Sequence, residues 1–140
     1  MRVRQLTLAK EKGRRETVDT LLLAGGRGVS GDYRSEKDGS VSLLSSEAEQ
    51  EIRASGGLCT NRFSANIFTE GLEYATLRVG TRLRAGPCTL EISRVGKPCF
   101  EACGLVQNKA ACPLPRNCAF ARVVSGGTLH CGDPVEVIEQ

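Results

Sequence analysis

The chain has 140 residues and a net charge of +3, a length that suits one domain and leaves no room for two independent cores. Hydrophobic residues make up 40% of it but aromatic residues only 4%, and Trp is absent, so a core must be built from aliphatic side chains and cysteine. Charged residues, at 25%, match the average of globular domains, which argues against a wholly disordered chain. We expect one domain over residues 1–140.

The charge and hydropathy patterns argue against several kinds of partner. The basic residues are scattered except for Lys10, Lys12, Arg14 and Arg15, and no aromatic residues alternate with them as a base-stacking surface requires. The longest aliphatic run, residues 21–24, is far shorter than the roughly 20 residues of a membrane span, and no signal-peptide pattern opens the chain. The sequence predicts a cytoplasmic protein that binds neither nucleic acid nor a membrane.

Short runs of aliphatic and β-branched residues alternate with glycines along the chain. Sixteen glycines punctuate these runs in the rhythm of an all-β barrel or sandwich. Apolar and polar residues alternate in 81–84 and 89–94, which indicates one buried face. The predicted strands span residues 3–8, 17–23, 41–44, 66–69, 81–84, 89–94, 119–124 and 135–138.

One main helix is predicted near residues 46–55. Ser46 can cap its N-terminus with Glu49 three residues on, and Gly56 ends it. The segment 103–116 has neither helical nor strand periodicity, so a long, mobile loop is predicted there. The predicted fold is therefore mainly β.

Seven cysteines are many for a cytoplasmic protein, and an odd number cannot all pair within the chain. In a reducing compartment, cysteines serve in metal ligation, sulfur chemistry or packing rather than in disulfides. The seven are Cys59, Cys88, Cys99, Cys103, Cys112, Cys118 and Cys131. Since four of them fall between residues 99 and 118, we expect the chemistry in that segment.

Cys99 best meets the requirements of a reactive thiol. It follows the predicted strand 89–94, and Pro98 stiffens the chain just before it. Lys97 and Arg116, which are near it in sequence, would favour the thiolate. Cys99 is therefore the predicted site of sulfur chemistry or soft-metal ligation.

A structural zinc site is an alternative role for these cysteines. Such sites usually place paired cysteines roughly two to four residues apart and repeat the pair after a gap. Only Cys99 and Cys103 fit this spacing, and Cys112 is a third candidate ligand. A purely structural role for the four cysteines of the segment also stays open.

Three other features are assigned no role in the chemistry. Cys88 and Cys131 stand in apolar, strand-like contexts and are predicted to be inert core residues. His130, the only histidine, is predicted to be exposed in a turn. The glycine-rich fragment 26–28 precedes no predicted helix, so nucleotide binding through it is rejected.

Taken in chain order, several segments resemble the MOSC family, which is related to the C-terminus of molybdenum cofactor sulfurase. The resemblance covers nearly the whole chain and implies a closed or partly closed β-barrel with one main helix and short helical turns. It rests on residues 28–32, 41–47, 61–72, 79–83, 90–92, 96–99, 120–123, 126–127 and 132–133.

The cysteine segment is similar to that of small stand-alone MOSC proteins associated with molybdopterin biosynthesis. Their outline is G-K-x-C-H-x-x-C, then G-x-C-x-M-P and a basic residue. Phe100 stands at the histidine of the first motif and Leu114 at the methionine of the second, and alanine stands before Cys112 where the outline has glycine. The matching positions are Cys99, Cys103, Cys112, Pro115 and Arg116.

The resemblance implies a sulfur carrier. Cys99, or Cys103 in its place, would receive sulfane sulfur from a cysteine desulfurase, on which pyridoxal phosphate is the cofactor, and pass it toward a metal–sulfur centre. In larger relatives the region binds the molybdenum cofactor (molybdopterin with its metal), and a cysteine ligates the metal. The implied partners are thus a desulfurase or proteins of molybdenum cofactor biosynthesis and molybdoenzymes. The larger relatives carry an extra N-terminal domain, so a complete molybdenum oxidoreductase is not expected.

An anionic cofactor also needs fixed donors. Arg62 can supply bidentate contacts and Asn66 amide contacts, with Lys97 and Arg116 as further cations. The alternatives are a surface salt bridge for Arg62 and an edge-strand or turn cap for Asn66. Asp32 is expected to be a turn former or cap.

Two functions of other classes stay open at this stage. One is a module that binds an anionic, pterin-like ligand without covalent sulfur, and the other is a zinc-stapled interaction domain. Whether the chain is an enzyme, and in what oligomeric state it acts, is not determined by its sequence.

Overall fold

The computed structural model describes residues 1–11, 15–47, 65–95 and 118–139. The strands of these residues are β1 (Arg2–Ala9), β2 (Arg15–Val18), β3 (Thr20–Ala24), β4 (Gly28–Val29), β5 (Ser40–Ser45), β6 (Ile67–Glu70), β7 (Arg82–Ala85), β8 (Cys88–Val95), β9 (Cys118–Ser125), β10 (Gly127–His130) and β11 (Val135–Glu139). One α-helix, α1 (Tyr33–Asp38), and a 3-10 helix (Tyr74–Thr76) complete the described elements. The prediction of a mainly β chain is confirmed.

The strands form two sheets. The larger has eight strands in the order β11-β7-β8-β9-β5-β6-β1-β2, and the smaller has three in the order β10-β3-β4. Neighbouring strands pair antiparallel except β5 and β6, which run parallel. A parallel pair requires a crossover connection, which here comprises the chain between β5 and β6.

The large sheet curls until its two ends meet. The Val3 amide donates to the Asp133 carbonyl at 2.8 Å, and the Val135 amide donates to the Met1 carbonyl at 3.0 Å. These bonds join the start of β1 to the start of β11. Strand β11 is one edge of the large sheet, and β1 is next to β2, the strand at the other edge. The result is a partly closed barrel, as the sequence predicted.

The barrel interior is aliphatic, as the scarcity of aromatic residues requires. Apart from Phe68, its largest fully buried side chains are leucines and isoleucines, and Leu6, Leu43, Leu83, Leu90 and Ile92 are at most 1% exposed. In β3 and β7 they alternate with outward-facing residues. Phe68 and Tyr74 are the buried aromatic residues in the described part of the chain. Every predicted strand has an observed counterpart, although the predicted strand 17–23 is divided at Asp19 into β2 and β3.

The helical elements differ from the prediction. Helix α1 was not predicted, and the predicted helix 46–55 lies outside the described residues apart from Ser46 and Glu47, which form a turn. Asp32 caps α1, since its Oδ1 accepts the Ser35 amide at 3.1 Å, and its expected capping role is confirmed. No helix among the described residues has both the length and the hydropathy needed to cross a membrane.

Candidate functional site

Strand pairing locates three of the points at which the two segments with most of the predicted site residues connect to the described barrel. Val95 pairs with Ala119, Ala119 with Leu43, and Leu43 with Ile67, so these residues form one row across β8, β9, β5 and β6. Residues 96–117 connect Val95, the last residue of β8, to Cys118, the first residue of β9. The segment 48–64 returns to the barrel two residues before β6 begins. Both segments therefore attach to central strands.

This row of paired residues gives the distance between the barrel residues nearest to the two parts of the predicted site, Cys99 and the Arg62–Asn66 stretch. Val95 and Ile67 stand three strands apart, which is roughly 15 Å along a flat sheet. Cys99 is four residues beyond Val95, and four extended residues span up to roughly 14 Å. The distance between the anchors is therefore compatible with one shared site for Cys99 and the Arg62–Asn66 stretch.

Of the predicted site residues, Asn66 lies within the described part of the chain. Arg62, Lys97, Cys99, Cys103, Cys112 and Arg116 all lie outside the described residues, and so does the predicted loop 103–116. The assignments of these residues stay predictions.

Asn66 connects three parts of the barrel. Its Oδ1 accepts the Ser42 amide at 3.2 Å and the Ser42 hydroxyl at 3.0 Å. Its Nδ2 donates to the Thr7 carbonyl at 3.2 Å and to Asp32 Oδ2 at 2.9 Å. The side chain is 4% exposed, and these four bonds use its full hydrogen-bonding capacity. A ligand contact by Asn66 would therefore require one of these bonds to be exchanged.

Asp32 is the anionic centre of this network. Its Oδ2 accepts the Ala9 amide at 3.0 Å in addition to the Asn66 amide, and Oδ1 holds the Ser35 amide. The carboxylate is 1% exposed, so its charge is balanced by hydrogen bonds from the protein rather than by water. The sequence indicated a cap at Asp32, but nothing in it indicated the link from Asp32 to Asn66, which lies 34 positions further along the chain.

A second polar group lies where the cysteine segment rejoins the barrel at Cys118. Tyr74 Oη and Thr69 Oγ1 share a hydrogen bond of 2.6 Å, and Glu47 accepts the Gly71 amide at 2.7 Å. Burial raises the pKa of the Tyr74 phenol; the hydrogen bond from Thr69 lowers it, and the nearby Cys118 and Glu47 raise it again. The phenol therefore stays neutral and donates or accepts hydrogen bonds at this end of the barrel.

The described cysteines differ sharply in accessibility. Cys88 is fully buried, which confirms its prediction as a core residue, and burial raises the pKa of its thiol. Cys131 is exposed, so its prediction as an inert core residue was wrong. It follows β10 in a turn, where its Sγ contacts the Arg4 carbonyl at 3.1 Å. The neighbouring Leu129, which is buried, made this sequence look like a buried strand.

Thiol labelling tests this correction. We expect iodoacetamide at neutral pH to alkylate Cys131 in the folded protein and to leave Cys88 unmodified, because a buried thiol is inaccessible and poorly ionised. Peptide mapping by mass spectrometry after a short reaction measures both sites, and labelling in urea is the control that both can react. Equal labelling of the two cysteines without urea would contradict the structure.

The described residues bear on two further predictions, one about metal ligands and one about the position of His130. Within the described ranges, no three histidine, cysteine, aspartate or glutamate side chains form a metal-binding group; the candidate zinc ligands are outside those ranges. His130 is exposed, as predicted, but it is the last residue of strand β10 rather than part of a turn, so that part of the prediction was wrong. Its amide donates to Asp133 Oδ2 at 2.8 Å. Its side chain lies 3.8 Å from the same carboxylate.

A partly closed β-barrel with a cysteine-bearing segment inserted between two paired central strands defines a class of protein. A family model described as the MOSC domain matches residues 30–136, which is more than half of the chain. The chain therefore belongs to the MOSC domain family. A search of curated proteins gives no match.

Solved structures share this fold. The YuaD protein from Bacillus subtilis is 20% identical with a TM-score of 0.71, covering 99% of this chain and 95% of that one. YiiM from Escherichia coli is 19% identical with a TM-score of 0.66, covering 100% of this chain and 71% of that one. YiiM from Geobacillus stearothermophilus is 17% identical with a TM-score of 0.63, covering 99% and 75%. These likenesses establish the fold.

Proposed function

We propose that this MOSC domain protein is a sulfur carrier of molybdenum cofactor metabolism, with Cys99 as the carrier thiol. The observation that carries the proposal is the attachment of the cysteine segment: its two ends join β8 and β9, which pair with each other from Thr89 to Val95. A thiol presented from two paired strands starts from a rigid base, as precise transfer between proteins requires. The family outline around Cys99 and Cys103 supports the same choice.

The proposed reaction is a thiol exchange without net oxidation. The Cys99 thiolate attacks the outer sulfur of a persulfide on a cysteine desulfurase. The S–S bond of the donor breaks, a new S–S bond forms on Cys99, and the donor cysteine leaves as a thiolate. Pyridoxal phosphate stays on the desulfurase. Since the reaction needs reduced thiols, a cytoplasmic location is part of the proposal.

The acceptor in this proposal is molybdopterin or the molybdenum cofactor. Its anionic group would be held by Arg62, Lys97 and Arg116 through charge-assisted hydrogen bonds. Asn66 could bind the same group only if it gave up one of its four side-chain hydrogen bonds. We therefore assign Asn66 a positioning role: it holds the start of β6, which is close to Arg62 in sequence. Cys103 and Cys112 are further thiols: attack of either thiolate on the outer sulfur of the Cys99 persulfide would move the persulfide to it and free the Cys99 thiolate, and attack on the inner sulfur would form a disulfide and release hydrosulfide.

Intact mass tests the proposal. After incubation with a cysteine desulfurase and cysteine, the wild-type chain is expected to gain about 32 Da per persulfide, and Cys99→Ser to gain none. Cys131→Ser is the matched control, since it removes an exposed thiol outside the segment, and it is expected to gain sulfur like the wild type.

Other results separate the alternatives. Sulfur gain that persists in Cys99→Ser and is lost in Cys103→Ser would move the carrier role to Cys103. Stoichiometric zinc after purification under reducing conditions would favour the zinc-stapled interaction domain, because a closed thiolate site copurifies with its metal. Tight retention of molybdopterin without any sulfur gain would favour the non-covalent module instead.

A further inference from the structure

A cavity of about 610 Å³ opens between the β3–β4 turn and helix α1. This volume lies in the usual range of small-molecule sites, about 300–1,000 Å³. None of its lining residues is among the predicted residues of the sulfur site. The lining includes Arg27, Gly28, Ser30, Glu36 and Lys37.

The cavity carries two cations whose charge the described residues leave unbalanced. Arg27 and Lys37 line it from the turn and from the helix respectively, and neither makes an ion pair or side-chain hydrogen bond with any residue in the described part of the chain. Some exposed arginines elsewhere on the barrel do have such partners, as Arg84 has with Glu136 at 3.4 Å and Arg122 with Glu91. What distinguishes Arg27 is that it lines one concave surface together with Lys37. The cavity therefore combines concavity with positive charge.

The walls of the cavity are held in place before any ligand binds. The Ser35 hydroxyl accepts the Val29 amide at 2.6 Å and donates to the Ser40 carbonyl at 2.6 Å, which ties α1 to β4 and β5. Gly28, with φ of +89°, lets β4 approach this hydroxyl so closely that a Cβ atom would overlap it. A preformed site loses less entropy on binding than one that must be ordered.

The backbone amides of the turn are already used. The Gly26 amide donates to Val123, the Arg27 amide to Ala24, and the Ser30 amide to Leu22, at 2.8–3.0 Å. The turn is therefore no backbone cradle for phosphate, which agrees with the rejection of a nucleotide motif at 26–28. Recognition of an anion here must come from the Arg27 and Lys37 side chains.

Glu36 adds a requirement for a hydrogen-bond donor on the ligand. Its Oε1 accepts the Gly31 amide at 3.2 Å, whereas its Oε2 accepts no hydrogen bond from the described residues. A carboxylate in a cationic cavity repels a bare anion but accepts hydrogen bonds from hydroxyl groups. The volume leaves room for a ligand several times larger than phosphate.

We propose that this cavity binds a small phosphate monoester bearing hydroxyl groups, with the phosphate on Arg27 and Lys37 and a hydroxyl on Glu36. The proposal is independent of the sulfur-carrier function, and either can fail without the other. The two cations attract the phosphate, and Glu36, the anionic side chain of the lining, is placed to accept a hydrogen bond from a hydroxyl group of the same ligand.

Isothermal titration calorimetry with ribose 5-phosphate, inorganic phosphate and ribose tests the proposal at low ionic strength. Ribose 5-phosphate is expected to bind most tightly, and Arg27→Gln and Lys37→Gln are each expected to weaken it about tenfold, since each removes a charge-assisted bond. Glu36→Gln is expected to raise the affinity for inorganic phosphate, because it removes the repelling carboxylate. The affinities for inorganic phosphate and ribose 5-phosphate are therefore expected to be closer in this variant than in the wild type. Ser30→Leu, which fills the cavity without changing its charge, is expected to abolish binding.

Arg84→Gln is the matched control, because it removes an arginine outside the cavity and is expected to leave binding unchanged. Melting temperatures near that of the wild type establish that the exposed substitutions leave the fold intact. The proposal would be overturned if ribose 5-phosphate did not bind, or if it bound no more tightly than inorganic phosphate. It would also be overturned if Arg84→Gln lost as much affinity for ribose 5-phosphate as Arg27→Gln and Lys37→Gln.

Discussion

Asp32→Ala is expected to lower the free energy of unfolding by about 3–5 kcal/mol, because it leaves three buried donors without their acceptor. These donors are the amides of Ala9 and Ser35 and the side-chain amide of Asn66. Each then loses a hydrogen bond to a charged group in a site from which water is excluded. Urea unfolding followed by circular dichroism measures the change.

Two variants control for this result. Asp32→Asn keeps one carbonyl oxygen as an acceptor but turns an NH₂ group toward the remaining donors, so an intermediate loss is expected. Asp19→Ala removes an exposed carboxylate between β2 and β3 and is expected to change stability by no more than about 0.5 kcal/mol. A loss below about 1 kcal/mol for Asp32→Ala would show that the network contributes little to stability.

Gly126→Ala is expected to lower the free energy of unfolding by about 3 kcal/mol or more, because the added Cβ atom forces the backbone to move. Gly126 joins β9 to β10, and a Cβ atom there would overlap the Leu23 carbonyl oxygen and lie 3.0 Å from the Gly25 amide nitrogen. Both obstacles are backbone atoms of the strand and turn packed against it, so no side-chain rotation can relieve them. Urea unfolding gives the free energy directly.

Gly25→Ala is the matched control, since Gly25 lies beside Gly126 in space. A Cβ atom at Gly25 would meet the Val124 carbonyl oxygen at 3.4 Å, an ordinary contact, and no left-handed φ is required there. We expect a loss below about 1 kcal/mol. Similar losses for the two variants would mean that the β9–β10 junction and the β3–β4 turn are less tightly packed than the structure indicates.

Local patterns were sufficient for most of the sheet. Residues 81–84 and 89–94 alternate between apolar and polar side chains, and β7 and β8 follow them closely because one face of each strand is buried and the other is wet. The predicted strand 17–23 failed in part, since β2 pairs with β1 while β3 pairs with β10 in the other sheet. The hydropathy pattern of residues 17–23 does not show that the chain changes its partner strand at Asp19.

The cysteines of the candidate site stay predictions from the sequence, whereas the hydrogen bonds around Asn66 are known from the structure and were not predicted. Residue spacing drew attention to Cys99, because a reactive thiol needs cations and a strand end nearby in the chain. The hydrogen bonds that hold Asn66 come from Thr7, Asp32 and Ser42 on three other elements. Such contacts depend on the barrel bringing distant segments together, so no local pattern predicts them.

Sequence alone therefore determined the β-rich class, the aliphatic core and the family, because glycine spacing, alternation and motif order are local properties of the chain. Tertiary structure decided which cysteines are accessible: Cys88 and Cys131 occupy similar local contexts, yet one packs in the core and the other lies in an exposed turn. It also decided that Asp32 and Asn66 meet, and that Arg27 and Lys37 share one cavity. Burial and contact depend on how strands pair across the barrel, and pairing between distant segments follows from the fold as a whole.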